Sequence, residues 1–228
     1  MRRPPSAEEL TAERMAMVEH QLRRRGIRDE RVLVAMEAVP REEFVPDPER
    51  RRAYADSALP IGHGQTISQP WIVAAIAEGL SLVGPETVLE IGTGSGYSTA
   101  VLARLAREVI TIERVEPLAD QARETLADLG VRNVEVIVGD GTAGFPDRAP
   151  FEAIAVHATA PSPPPTLLAQ LAVGGRLVVP IASRTADMLT VFWRVAERLD
   201  PERDGGLERR VIGPCRFVPL IGGEGFPE

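Results

Sequence analysis

The chain has 228 residues, enough for one domain with a sizeable core. Hydrophobic residues make up 44% and charged residues 26%, which excludes a wholly disordered chain. The formal charge is −7, which argues against nucleic acid as the main partner.

Every basic residue is Arg, which reads as a codon-composition bias and not as function. Apolar stretches are broken by Gly, Pro or charge well short of about 18 residues, so no membrane span is expected. The single cysteine, Cys215, has no partner for an internal disulfide and no metal-ligand spacing around it, so no metal is expected. The N-terminal Arg pair has no apolar stretch behind it, so a secretory signal is not expected. A cytoplasmic monomer follows as the expectation.

Residues 1–6 read as loose. A helix is predicted over 7–25, where Ser6 and Glu9 have capping-box spacing. A second is predicted over 29–38, with Asp29 as its cap. Pro40, Pro46 and Pro48 then break the chain, and 53–69 reads as loop. The Arg triplets 23–25 and 50–52 read as solvated surface. From Pro70 onward helix and strand alternate. Helices are predicted over 70–83, 95–107, 116–129 and 165–172. Strands are predicted over 86–91, 108–112, 133–138, 151–157 and 175–181, with two more near 187–195 and 211–220. The 201–206 segment reads as the hairpin turn between those last two. This alternation implies an α/β fold with a doubly wound, mostly parallel sheet and helices on both faces. One domain over 1–228 is expected, with a helical N-terminal appendage over 7–60 and the α/β core over 61–228.

Three places carry chemistry. Leu89-Glu90-Ile91-Gly92-Thr93-Gly94-Ser95-Gly96 follows a strand and opens a helix. Glycines there permit a tight turn and close approach of backbone to a ligand. Their spacing is G-x-G-x-G and not the dinucleotide G-x-G-x-x-G, which weakens a nicotinamide dehydrogenase reading. Glu113 ends the next strand, roughly 20 residues on, where an acid binds the ribose hydroxyls of a nucleoside. Asp140, in Val138-Gly139-Asp140-Gly141, is placed to accept from an adenine amino group. Taken singly, each has a bland alternative: a structural turn, a solvated strand-end charge and an ordinary Asp-Gly turn. Together they lie at the C-terminal ends of three successive strands, where open α/β sheets bind ligands. That combination points to S-adenosyl-L-methionine.

The segments IGHGQTISQPWIVA (61–74), VLEIGTGSGYSTAVLA (88–103), VGDGTAGFP (138–146), FEAIAVHATAP (151–161), QLAVGGRLVVPI (170–181) and CRFVPL (215–220) resemble the protein-L-isoaspartate (D-aspartate) O-methyltransferase family. The match runs in the family's order from about residue 12 to 221. The resemblance implies a Rossmann-like methyltransferase fold with added N-terminal helices and a C-terminal antiparallel hairpin. It implies methylation of the free carboxylate of L-isoaspartyl residues, D-aspartyl residues being a further possible target, in damaged proteins and peptides. The ester then closes to a succinimide and initiates repair. It makes Ser68 the active-site serine and Gln65, Thr66 and Ile67 the loop covering the cofactor. The cofactor contacts are then Gly92, Gly94, Ser95, Gly96, Glu113, Asp140 and Gly141, and the substrate lobe includes 59–68 and 215–220.

Ser68 taken alone reads first as an N-cap of the helix that Pro70 opens. His157 reads as a satisfied strand-end histidine ahead of a titrating group, in a place where the family usually has small residues. Trp71 stands just before two positions, Ile72 and Val73, at which many relatives carry a histidine. It reads as lid or core. Two alternatives stay open, the first of them permitted by these departures. One is a methyltransferase dedicated to an aspartyl residue of one precursor peptide. The other is a non-catalytic module that binds S-adenosylmethionine or peptide.

Overall fold

The structure is a computed structural model, and it describes residues 3, 5–196 and 206–227. The N-terminal segment is helical from Ala7 to Arg25, but its winding changes along the way. Helix α1 (Ala7–Met17) starts on the capping box of Ser6 and Glu9. It widens into a π-turn over Val18–Leu22 and tightens into a 3₁₀ turn over Arg23–Arg25. Gly26, at φ 98°, ends it in the left-handed conformation that glycine adopts at no steric cost. Helix α2 (Glu30–Ala38) is capped by Asp29, whose carboxylate accepts the Arg31 N–H at 2.9 Å. Two 3₁₀ turns, Arg41–Phe44 and Asp47–Arg52, fill the proline-rich stretch.

The 53–69 segment is not plain loop. It contains an antiparallel hairpin of β1 (Leu59–Gly62) and β2 (Gln65–Ile67). Leu59, Ile61 and Ile67 are buried, and the turn uses positive φ at Gly62, His63 and Gly64. Pro60 and the brevity of the two strands hide this alternation in the sequence. Helix α3 (Pro70–Leu80) follows, then β3 (Thr87–Ile91), α4 (Tyr97–Ala103), β4 (Glu108–Glu113), α5 (Glu116–Asp128) and β5 (Val134–Val138). The chain returns through β6 (Phe151–Val156), α6 (Pro165–Ala169), β7 (Leu171–Ile181), β8 (Asp187–Arg194) and β9 (Leu207–Cys215).

The seven-stranded sheet has the order β5-β4-β3-β6-β7-β8-β9. β3 to β7 are parallel, and β8 and β9 add antiparallel at one edge. Strand alternation sorts the core into two layers. Val88, Val109, Ala153, Val178 and Val191 face the cluster built with α1 to α5. Leu89, Ile110, Ile154, Leu177 and Phe192 face the other, which includes Leu167 of α6 and Leu220 of the C-terminal tail. Cover on this second face is thinner than the alternation predicts. Between β5 and β6 the chain makes only 3₁₀ turns, Gly141–Ala143 and Pro146–Arg148, because glycine and proline leave no uninterrupted stretch for a longer helix.

Several predicted boundaries move: α3 ends at Leu80 rather than 83, and α4 is shortened from 95–107 to Tyr97–Ala103. Helix α6 ends at Ala169, and β7 begins at Leu171, ahead of its paired glycines. β9 covers 207–215, and the 216–220 stretch instead runs beside residues 157–160, bridging Thr159 to Pro219. Residues 201–205 of the predicted hairpin turn lie outside the described residues; Gly206 is a turn residue.

Two contacts outside the sheet position the rest. Gly79 of α3 lies against β7, β8 and β9: a Cβ there would meet Val178, Val191 and Ile212 methyls at 3.1–3.3 Å. Asp140 holds the tail, its carboxylate accepting the Thr142 N–H and hydroxyl at 2.8 Å and the Gly223 N–H at 3.2 Å. Burial alone would raise the Asp140 carboxyl, but these donors and the charge of Arg114 hold it below its ordinary value.

Gly79→Val should lower stability by about 1–3 kcal/mol through overpacking, read as a shifted denaturant midpoint at constant slope. Asp140→Asn keeps an acceptor but removes the charge. The wild type should be the more stable of the two above about pH 4, where the unfolded carboxyl is ionised. That difference should shrink as pH falls through the depressed native value, which melting curves between pH 2 and 7 would show.

Candidate active site

One cleft, of about 780 Å³, opens at the C-terminal ends of β3, β4 and β6. One wall is the glycine loop. Gly92 and Gly94 line the cleft at φ 93° and 54°, conformations that strain any residue with a Cβ. A Cβ at Gly92 would also come into contact with the Cβ of His157, at 3.4 Å. The loop therefore presents bare backbone to the cleft, with Thr93 and Ser95 between and beyond the glycines. Glu113 braces it from β4. The residue is 6% exposed, and its carboxylate accepts N–H groups of Gly94 at 2.9 Å and Val115 at 3.0 Å.

The facing wall carries Gln65, Thr66, Ile67 and Ser68, as β2 runs into α3. Gln69, not Ser68, takes the N-cap position of α3, and no side chain caps that helix. Ser68 is held through its backbone. Its carbonyl accepts from Arg41 Nη2 at 2.8 Å, while Arg41 Nε donates to Ala53 O at 2.7 Å. Arg41 is fully buried and its guanidinium lies 4.9 Å from the centre of the Tyr97 ring. Burial pushes its pKa down to about 10, so it remains a cation at neutral pH. Neither Arg41 nor Tyr97 stands out in the sequence: Arg41 reads as part of the charged run Arg41-Glu42-Glu43, and Tyr97 simply follows the glycine loop.

The cleft also gathers Gly141 and His157, and on its rim Trp71 and the 214–221 stretch. His157 continues from β6, with its N–H on the carbonyl of Ile91. Its Nε2 is 2.9 Å from Ser98 Oγ and 3.1 Å from Glu90 Oε1. Glu90 is fully buried, and its other oxygen accepts from Thr99 Oγ1 at 2.5 Å. These groups pin β3, α4 and β6 together beneath the loop. A single acid in an otherwise apolar strand was the only sequence signal for Glu90.

Two expected cofactor residues do not line the cleft. Gly96 faces away from it, where an added Cβ would meet Ala122 and Leu126 of α5 at 3.3–3.5 Å. Asp140 is set back from the cleft, where its carboxylate accepts from Thr142 and from Gly223 of the tail. Trp71 is at the rim under the Arg25 guanidinium, 5.3 Å from it, and Arg25 is itself paired with Asp56 at 2.9 Å. The 23–25 triplet is thus not wholly solvated surface. Cys215 is half-buried, and burial followed by the charge of Asp187 pushes its thiol up to about 12, leaving it no thiolate character at neutral pH. No group of three or more His, Cys, Asp or Glu is arranged to hold a metal among the described residues.

The family model for protein-L-isoaspartate(D-aspartate) O-methyltransferase matches residues 12–225. The chain is 52% identical to protein-L-isoaspartate O-methyltransferase 1 of Rhodopseudomonas palustris (strain HaA2), over 99% of this chain and 91% of that one. It is 50% identical to the protein-L-isoaspartate O-methyltransferase of Methanoculleus marisnigri, over 94% of each chain. A solved structure from Plasmodium falciparum, named for the same activity and in complex with S-adenosyl-L-homocysteine, superposes with a TM-score of 0.77. It is 25% identical and covers 91% of this chain and 98% of its own. A match over most of the chain, at half identity and with the whole fold shared, shows that the chain belongs to the protein-L-isoaspartate(D-aspartate) O-methyltransferase family.

Proposed function

We propose that the protein transfers a methyl group from S-adenosylmethionine to the free carboxylate of L-isoaspartyl residues in damaged proteins and peptides. One observation carries the reading. The Ser68 wall and the Gly92–Gly94–Glu113 wall face the same cleft, so a cofactor and a carboxylate can meet there. About 780 Å³ falls within the usual range for small-molecule sites, roughly 300–1,000 Å³. The side-chain-free loop backbone and the strand-end acid fit a nucleoside with an amino-acid tail. Gly92, Gly94, Ser95 and Gly141 would hold it by backbone, and Glu113 by the ribose hydroxyls, with Gln65, Thr66 and Ile67 closing over it. S-adenosylmethionine, when bound, supplies an electrophilic methyl on a sulfonium.

The chain's own task is then positioning. A carboxylate is already ionised at neutral pH, so no general base is needed to make it a nucleophile. Ser68 Oγ caps no helix, which leaves its hydroxyl available to donate to one carboxylate oxygen and aim the other. Arg41 acts through Ser68: by holding its carbonyl it fixes the loop from which the hydroxyl projects. Covering the cleft excludes water, and a nucleophilic anion and a sulfonium attract more strongly in that lower dielectric. Methoxide leaves an ester carbonyl far more readily than oxide leaves a carboxylate, so attack by the backbone nitrogen of the following residue on that carbonyl forms the C–N bond, expels methanol and gives a succinimide. Its hydrolysis restores aspartate in part.

The test uses labelled S-adenosylmethionine with two peptides that differ only in an isoaspartyl or normal aspartyl linkage. Base-labile label should appear in the isoaspartyl peptide alone. Labelling of neither peptide, with cofactor binding intact, would overturn repair methylation in favour of a dedicated peptide or a binding module. Ser68→Ala should lower kcat about 10- to 100-fold, with the dissociation constant of the cofactor unchanged by calorimetry. Glu113→Gln should do the reverse, weakening cofactor binding about tenfold through the lost charged acceptor.

A further inference from the structure

The chain carries a net charge of −7, yet its cleft is lined by three arginines, Arg25, Arg114 and Arg216, against one carboxylate, Glu113. Most of these charges are committed. The Asp56 carboxylate chelates Arg25 through two contacts of 2.9 Å. Arg114 acts on Asp140. The oxygens of Glu113 are turned back onto the N–H groups of Gly94 and Val115. Arg216 is different. It is exposed, and it has no hydrogen bond or ion pair to any other described residue.

Its place in the fold is nevertheless fixed. Arg216 follows β9 directly, and the chain beyond it is tied to the end of β6. The Thr159 N–H donates to Val218 O and the Leu220 N–H donates to Thr159 O, both at 2.8 Å. Phe217 lines the cleft beside it and packs against the core. The guanidinium is thus an uncommitted positive charge anchored on the cleft wall.

We infer that Arg216 is a specificity-determining residue, which biases the enzyme toward isoaspartyl sites with an acidic residue close by in the sequence. This rests on the isoaspartyl reading above. The acidic surface repels anionic segments as a whole, and Arg216 offsets that repulsion at the mouth, where the flanks of a bound peptide must lie. A single exposed charge pair has a small effect, so the bias is a matter of severalfold and is screened by salt.

Two isoaspartyl peptides, identical except for Glu or Lys two residues from the damaged site, give the readout. It is the Glu/Lys ratio of kcat/KM at low salt. Arg216→Ala should lower that ratio about threefold and Arg216→Glu about tenfold relative to wild type, and both changes should shrink in 0.5 M salt. Arg132→Glu is the control. It alters net charge as Arg216→Glu does, but lies before β5 at the opposite end of the strands, and it should leave the ratio within about 1.5-fold. An unchanged ratio in Arg216→Glu, or an equal shift in Arg132→Glu, would overturn the inference while leaving isoaspartyl methylation intact. Failure to methylate either peptide would overturn both.

Discussion

The site depends on one topological constraint. β3 pairs in parallel with β4 on one side and β6 on the other, and the chain reaches those neighbours by separate routes. The segments leaving β3 and β6 therefore diverge, and a crevice opens at their C-terminal ends. Gly92 and His157 stand at that divergence, with the His157 N–H on the carbonyl of Ile91. β3, β4 and β6 are buried on both faces, so their register is strongly specified and the crevice cannot shift without moving the core.

Around that crevice the protein invests in buried polar groups. Arg41 lies beneath the Ser68 wall, with Tyr97 under its guanidinium. Nearby, Tyr54 donates to Glu42, and Arg14 approaches the same carboxylate at 4.0 Å. Beneath the opposite wall, Glu90 meets His157 and Thr99. Buried charges seldom add net stability, but losing one partner costs several kcal/mol. Such groups therefore define the positions of loops that apolar packing alone would leave loose. Here both walls of a cleft whose chemistry depends on positioning are held this way.

The N-terminal segment completes the same arrangement. The Glu78 carboxylate of α3 accepts N–H groups of Arg28 and Asp29 at the start of α2, and Arg31 reaches the carbonyls of Leu82 and Leu105. These ties join the early helices to the layer that carries Ser68 and the glycine loop. The appended helices thus bear on the site through Arg41, and they form part of its rim through Arg25.

Local chemistry made much of this legible in the sequence. The capping box at Ser6, the strand–helix alternation after Pro70 and the glycine loop at 92–96 each depend on neighbouring residues, and a linear sequence displays these directly. The pairing of the Gln65–Ser68 segment with the glycine loop came from the resemblance to a family, since nothing in their spacing brings them together. Only the tertiary structure decided the rest. Asp140 and Gly96 belong to motifs, but the tail claims the first and α5 packs on the second. The hairpin at 59–67 is too short to show its alternation, and its buried residues become meaningful only against the core they meet. The roles of Arg41, Glu90 and His157 arise from partners 9 to 67 residues away along the chain. Long-range pairing of a buried charge follows from packing, which no local pattern encodes.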